Sequence, residues 1–249
     1  MAKDSIIGHQ EYGSAIVERF GDRTLKVPAM VKAPLAAFKK AHEGYVAKCQ
    51  AAETARERRD QAALAIGAAD DLLDDSVLAA ANDLVAAKLG SRQNPFAPFG
   101  AKAPATLVEL RDADEAQAVA TLAGKIEATL TQTQKTASKD PVVAAGRKAL
   151  AGRCKQLRAQ AAAVQKALAG LERPQAAYAK ALAARDKLLP GWQKALTRLR
   201  KFAGAAWEAE PEVYTALFAP PVPVTTAATT KKPRPPRTPT PPAPPATAT

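Results

Sequence analysis

Alanine makes up about a quarter of this chain of 249 residues, whereas aromatic residues contribute only 5%. Alanine is the best helix former because it loses no side-chain entropy when the backbone becomes ordered. It also buries little area, so a core built from it must be a narrow seam between closely packed helices. The segments between turn signals show no convincing period-two strand pattern. The composition therefore predicts an all-α protein of long helices rather than a globular α/β domain.

Apolar residues recur with alternating steps of three and four, the spacing of helices that bury one narrow face. The strictest such series comprises Leu150, Cys154, Leu157, Ala161, Val164, Leu168 and Leu171. Similar seams run from Leu35 to Ile66 and from Leu182 to Ala203. A repeat of 3.5 residues implies left-handed supercoiling of paired helices. We therefore expect coiled-coil packing along these seams.

Start and stop signals divide the chain into helical segments. Asp140 before Pro141 is the clearest helix start, and Thr106 with Glu109 matches a capping box. Residues 90–105 have the composition of a loop, and residues 170–173 leave room only for a tight turn before a proline. The predicted helices are about 33–66, 70–89, 106–137, 141–170 and 174–206.

Three points of this division stay open in the sequence. Gly67 either ends a helix or only weakens it, so residues 33–89 form one helix or two. Pro190 kinks or splits its helix. Residues 1–32 are a lead-in with a candidate short helix, and residues 211–219 are a short helical or turn segment.

Four of the predicted helices contain about thirty residues each, which corresponds to about 45–50 Å. Matched lengths joined by short connections are typical of antiparallel bundles. The predicted fold is an elongated antiparallel helical bundle of four long helices plus one shorter helical segment. Residues 220–249 combine eleven prolines and eight threonines with no acidic residue. They cannot bury apolar surface, so we predict a disordered, basic C-terminal tail.

The net charge of +12 is unevenly distributed. Residues 145–203 carry fourteen basic residues against only Glu172 and Asp186, whereas residues 70–127 carry ten acidic residues against five basic ones. Segments of opposite charge attract each other when folded together, although exposed pairs contribute only about 0.2–1 kcal/mol each. The charges are expected to favour one order of helices rather than to hold the bundle together.

Lysines repeat every seven residues opposite the seam of the last long helix, at Lys180, Lys187, Lys194 and Lys201. Such a stripe suits an anionic partner, such as a nucleic acid or another polyanion. The simpler interpretation is the solubilising outer face that any such helix needs. No aromatic residue lies between these lysines for base stacking, which favours the simpler interpretation.

Residues 70–75 contain four aspartates. Carboxylates crowded together in this way resemble a cation-binding site. They lack the glycine and the ligand spacing of a calcium loop. Aspartates before Ser76 would stabilise the positive end of a helix dipole, so a helix start or charge at a helix crossing is predicted. His42 lies between Phe38 and Tyr45 on an apolar seam and is predicted to be a core-edge histidine. The sequence therefore predicts no catalytic, cofactor-binding or metal site.

Two segments remain as candidate docking elements. Phe96 and Phe99 lie in the loop at residues 90–105, where they either pack onto the end of the bundle or protrude towards a partner. The tail contains overlapping Pro-x-x-Pro units beside basic residues, a pattern that fits aromatic grooves but also occurs in inert extensions. This motif comprises Lys231, Lys232, Pro233, Arg234, Pro236, Arg237 and Pro239.

These observations favour a non-catalytic structural or adaptor protein, in which a rigid helical bundle carries a proline-rich tether. Its expected partner is another protein or a further copy of itself. The alternative is an electrostatic binder of nucleic acid or another anionic polymer through the basic helices predicted at 141–170 and 174–206. An enzyme is disfavoured because the sequence shows no paired carboxylates at facing positions, no nucleophile–base pair and no phosphate-binding loop. Neither a signal peptide nor a membrane span is recognisable, so a cytoplasmic location is expected.

Overall fold

A computed structural model describes residues 2–133 and 140–221, with side chains described from residue 8 onward. These residues form helices joined by turns and loops, and no strand occurs among them. The helices are α1 (Ala2–Arg19), α2 (Ala29–Ala86), α3 (Pro104–Leu107), α4 (Asp112–Thr133), α5 (Pro141–Asp186), α6 (Leu189–Ala206) and α7 (Pro211–Phe218), with a 3₁₀ helix at Ala97–Phe99. The prediction of an all-α helical bundle is confirmed.

The chain divides into two compact units, of which the smaller contains α1 and α7. Its core is aromatic: the ring of Phe20 lies 6.1 Å from the ring of Trp207 and 5.9 Å from that of Phe218. The Tyr12 hydroxyl donates a hydrogen bond to the backbone oxygen of Phe218 at 2.9 Å. Arg19 donates to the backbone oxygens that flank Phe218. The helical lead-in predicted for residues 1–32 thus has a definite partner, α7.

The larger unit spans residues 27–206 and is built on a long helix pair. α2 has 58 residues and is therefore about 87 Å long at 1.5 Å per residue. Its partners follow one another in reverse order, since Asp83 meets Arg153, Arg59 meets Tyr178 and His42 meets Trp192. α2 therefore pairs antiparallel first with α6 and then with α5.

A third helix, α4, packs against one end of this pair. We call this region the three-helix end; it comprises α4, the part of α2 from Asp70 onward, the connecting residues 87–111 and the part of α5 up to Val164. Its largest fully buried side chains are Leu73, Leu84, Phe96, Leu107, Leu122, Ile126, Leu150 and Leu157. The seam predicted for residues 150–171 is confirmed, because its first five members are buried and its last two are half-buried.

Residues 33–89 contain one helix rather than two. α2 continues through Gly67, where an added side chain would meet open space. A glycine inside a helix costs about 1 kcal/mol relative to alanine. Ile66 and Leu73, before and after it, are buried, and burying each contributes about 1.5–3 kcal/mol. Packing therefore outweighs the local preference for a break.

The tight turn predicted at residues 170–173 is wrong, as is the separate helix predicted at 174–206. α5 continues through Pro174 to Asp186, although a proline inside a helix costs about 3 kcal/mol. α2 extends beside this stretch, and the Arg59 guanidinium of α2 lies 4.6 Å from the ring centroid of Tyr178. A turn at residue 170 would leave the middle of α2 without a neighbour. The predicted set of four matched helices is accordingly wrong.

The structure splits the helix at Pro190, the point that the sequence left open. α5 ends at Asp186, residues 187–188 form a turn, and Pro190 occupies the second position of α6. Proline suits the first turn of a helix because an N–H there has no partner within the helix. The predicted start at Asp140 is confirmed, since its carboxylate accepts hydrogen bonds from the backbone N–H groups of Val142 and Val143.

The helix predicted at 106–137 begins differently. Pro104 starts the short helix α3, which ends at Leu107, so the capping box at Thr106 and Glu109 is wrong. α4 then begins at Asp112, with three acidic residues in its first turn. Proline in the first position and acids near a helix N-terminus are both favourable, and here they decide where the two helices begin.

Candidate functional site

Three carboxylate groups converge in the three-helix end. Asp70 and Asp74 lie one turn apart on α2, and Glu115 comes from the first turn of α4. One oxygen from each residue lies within 4.8 Å of the oxygens of the other two. Glu115 is only 1% exposed, whereas both aspartates are half-buried. We call these three residues the carboxylate cluster.

The electrostatics of the carboxylate cluster are unfavourable for three charged groups. Burial raises the pKa of Glu115 to about 8, with further contributions from a hydrogen bond to the Asp74 side chain and from the charges of Asp74, Asp70 and Asp112. Burial likewise raises the pKa of Asp70, as do Asp112 and Asp74. Buried carboxylates are normally paired with a cation or fully hydrogen-bonded, so this arrangement is unusual for a helical seam.

The sequence interpretation of residues 70–75 as a helix start is wrong, because they lie in the second half of α2. The interpretation as charge at a helix crossing agrees with the contact to α4. Glu115 is not singled out by the sequence, since no local signal distinguishes it from the other acids of the helix predicted at 106–137. Only the packing of α4 on α2 shows that its side chain points inward.

Two ion pairs join basic and acidic segments elsewhere in the three-helix end. The part of α5 from residue 141 to 168 has six basic residues and no acidic one, and it faces the acidic helices α2 and α4. Arg153 pairs with Asp83 at 3.1 Å, and Arg158 pairs with Glu127 at 2.7 Å. The expected attraction between acidic and basic segments is therefore present as defined ion pairs.

The opposite end of the larger unit is basic. We call it the basic end and define it as residues 29–48 of α2 together with α6. It contains eight lysines and arginines but a single acid, Glu43. The basic residues are Lys32, Lys39, Lys40, Lys48, Lys194, Arg198, Arg200 and Lys201. Charge is thus segregated along the helix pair.

All four lysines of the predicted stripe, Lys180, Lys187, Lys194 and Lys201, are exposed. None of them forms an ion pair with another described residue. They do not share one continuous helix, however. Lys180 lies on α5, Lys187 in the turn after it, and Lys194 and Lys201 on α6. The stripe is therefore interrupted at the junction of α5 and α6.

Phe96 and Phe99 are not available as a docking surface. Phe96 is 0% and Phe99 is 6% exposed, and both belong to the core of the three-helix end. The loop turns back at Gly100, whose φ of 63° is left-handed and thus suits glycine. Lys125 of α4 donates a hydrogen bond to the backbone oxygen of Phe99 at 2.9 Å. The packing interpretation is confirmed, and the docking one is wrong.

The remaining candidates divide between the core and the tail. His42 is 5% exposed and accepts a hydrogen bond from the indole N–H of Trp192, so its prediction as a core-edge histidine is confirmed. The tail motif lies outside the described residues; it comprises Lys231, Lys232, Pro233, Arg234, Pro236, Arg237 and Pro239. Residues 222–249 of the tail that is predicted to be disordered also lie outside the described residues.

Comparison with known proteins adds no relative. No protein-family model matches the chain, no curated protein matches it significantly, and no solved structure does so either. Among the described helices, none combines the length and the apolar character needed to cross a bilayer.

Proposed function

We propose that this protein is a non-catalytic structural or adaptor protein. In this proposal the paired helices of the larger unit act as a rigid spacer, and the basic, proline-rich tail acts as a tether to another protein. The observation that carries the proposal is the unbroken course of α2 beside α6 and α5. The 58 residues of α2 make a helix about 87 Å long that packs along α6 and α5. A helix of this length keeps partners that bind at its two ends apart.

The distribution of buried side chains supports a spacer rather than an enclosed site. Buried residues of α2 recur from Val31 to Ala52 and again from Ile66 to Leu84, and half-buried side chains such as Arg59 contact α5 between these two stretches. Alanine at many seam positions leaves little room between the helices. Such a seam resists bending because bending would separate two packed surfaces.

The tether can be tested by partner capture with matched tails. The intact protein is compared with a chain ending at residue 221 and with a chain whose tail keeps its composition but loses the Pro-x-x-Pro spacing. A defined set of partners captured by the intact protein alone is the expected result, because groove recognition depends on that spacing. Equal capture by the reordered tail would contradict a specific tether, and equal capture by the truncated chain would contradict any role of the tail.

A second candidate function is binding of an anionic polymer at the basic end together with the neighbouring exposed lysines Lys180 and Lys187. The observation that favours it is that most basic residues there are exposed and that the basic end contains a single acid, whereas Arg153 and Arg158 of α5 pair with acids of α2 and α4. Clustered charge of one sign attracts polyanions and accelerates their association.

This alternative predicts a steep salt dependence, because each neutralised phosphate releases counterions. Replacing Lys180, Lys187, Lys194 and Lys201 with glutamine would reduce the slope of log affinity against log salt for a DNA duplex by up to about 3.6. The control replaces three exposed lysines of the α5 segment that packs against α2 and α4, Lys148, Lys155 and Lys166. Binding that is absent at about 150 mM salt, or that responds equally to both sets of changes, would contradict this function.

A further inference from the structure

The carboxylate cluster contains three oxygen atoms without a hydrogen-bond donor. They are Oδ1 of Asp70, Oδ1 of Asp74 and Oε1 of Glu115, each shielded from solvent. No lysine or arginine forms an ion pair with any of these residues in the described part of the chain. Native proteins rarely leave buried polar atoms without a partner, so these three oxygens require either a proton shared between carboxyl groups or a bound cation.

Glu115 provides the strongest of these indications. Its side chain is 1% exposed and is directed towards two aspartates on the neighbouring helix rather than towards a base. The surrounding core is apolar, since Leu73, Val77 and Val119 are all buried nearby along the same helices. A seam of this kind is ordinarily filled by apolar side chains. The carboxylate of Glu115 at this position is explained if it binds a ligand.

We propose that Asp70, Asp74 and Glu115 form a binding site for a divalent cation of the oxygen-preferring class, Mg²⁺, Mn²⁺ or Ca²⁺, which fastens α4 to α2. The proposal is independent of the spacer and tether roles above. The ligand set contains oxygen alone, with no imidazole or thiolate, and oxygen-only sets suit these hard cations rather than zinc or copper.

The spacing of the oxygens agrees with such a site. Two ligands on opposite sides of a cation are separated by twice the metal–oxygen distance, which is about 4.0–5.2 Å for these ions. The three oxygens all lie within 4.8 Å of one another. Both aspartates are half-buried, so water can reach the site and complete the coordination shell, as Mg²⁺ and Ca²⁺ usually require.

The experiment uses the full-length protein after treatment with a chelator. Calorimetric titration with Mn²⁺, Mg²⁺ and Ca²⁺ measures binding, and circular dichroism measures the melting temperature with and without each ion. We expect one cation per chain. At a concentration ten times the dissociation constant, the melting temperature should rise by about 3–6 °C, and the chelator should reverse the rise.

Two isosteric variants and one control locate the site. Glu115→Gln and Asp74→Asn each remove one charge without changing shape, and each should weaken binding by about tenfold or more because affinity follows the number of ligand charges. Without cation, Glu115→Gln should melt no lower than the unmodified protein. The control, Asp75→Asn, changes an exposed neighbour on the same helix and should leave the cation response intact.

Two results would overturn the proposal. One is the absence of any cation-induced rise in melting temperature, which would mean that the cluster is satisfied by a proton shared between carboxyl groups. The other is an equal loss of binding in Asp75→Asn and Glu115→Gln, which would indicate diffuse attraction to an acidic surface.

Discussion

Trp192 on α6 donates its indole N–H to Nδ1 of His42 on α2, with 3.1 Å between the two nitrogen atoms. The ring of Phe38 stacks on the imidazole at an interplanar angle of 14°. Because Nδ1 accepts this hydrogen bond, it carries no proton in the folded protein. Burial lowers the pKa of His42, although the neighbouring Glu43 acts in the opposite direction.

This contact predicts that stability falls as the pH decreases through the titration of histidine. The unfolded chain takes up a proton near the ordinary histidine pKa of about 6.5, whereas the folded chain takes it up only at lower pH. The unfolded state therefore binds more protons below that pH, and the free energy of unfolding declines there. Above pH 7.5 this histidine contributes no pH dependence.

Urea unfolding between pH 7.5 and 5.5 measures the effect. His42→Asn places an amide oxygen near the position of Nδ1 but cannot titrate, so it should flatten the decline relative to the unmodified protein. His9→Gln, which removes the other histidine of the sequence, is measured alongside for comparison. An unchanged decline in His42→Asn would mean that other groups cause the pH dependence.

The seam of α5 predicts a large difference between two substitutions. Leu157 is 0% exposed, so Leu157→Ala should lower the free energy of unfolding by about 2–5 kcal/mol. Leu168 is half-buried, and Leu168→Ala should fall at the lower end of that range. Lys187→Ala changes an exposed side chain and should stay within about 0.5 kcal/mol. Equal effects of Leu157→Ala and Lys187→Ala would show that the assigned faces are wrong.

Phe96 should matter for stability rather than for binding. Phe96→Ala removes a fully buried ring from the three-helix end and should cost about 3–5 kcal/mol. Phe202→Ala, at a half-buried position of α6, is the control and should cost less. Chemical denaturation measures both. A negligible cost for Phe96→Ala, together with loss of partner capture, would restore the docking interpretation.

The sequence predicted the helical class, the seams and the start at Asp140 because these depend on local spacing and on one capping side chain. It failed at residues 170–173, where a glycine and a proline resemble a turn. Whether they form one depends on α2, whose presence beside them is a long-range contact. Local preferences of about 1–3 kcal/mol for a helix break do not outweigh packing free energies of similar magnitude.

The carboxylate cluster shows the same limit for sites. Asp70 and Asp74 are recognisable in the sequence as part of an acidic run. Glu115, however, lies 41 positions further along the chain than Asp74. No motif connects them. Their convergence follows from the way α4 packs on α2, and a single sequence does not contain the register of that contact.

We propose that α2 and its partner helices form one stiff spacer. The distance between two spin labels on α2 tests this stiffness. Labels replace the exposed Lys40 and Asp75 in a background with Cys49→Ser and Cys154→Ala. Their separation of 35 positions in the sequence corresponds to about 53 Å along a continuous helix. Gly67→Ala serves as a control that keeps the helix intact, and Gly67→Pro as one that interrupts it. We predict a narrow distribution near that distance, unchanged by Gly67→Ala and broadened by Gly67→Pro. A broad or markedly shorter distribution in the chain with Gly67 unchanged would contradict the spacer.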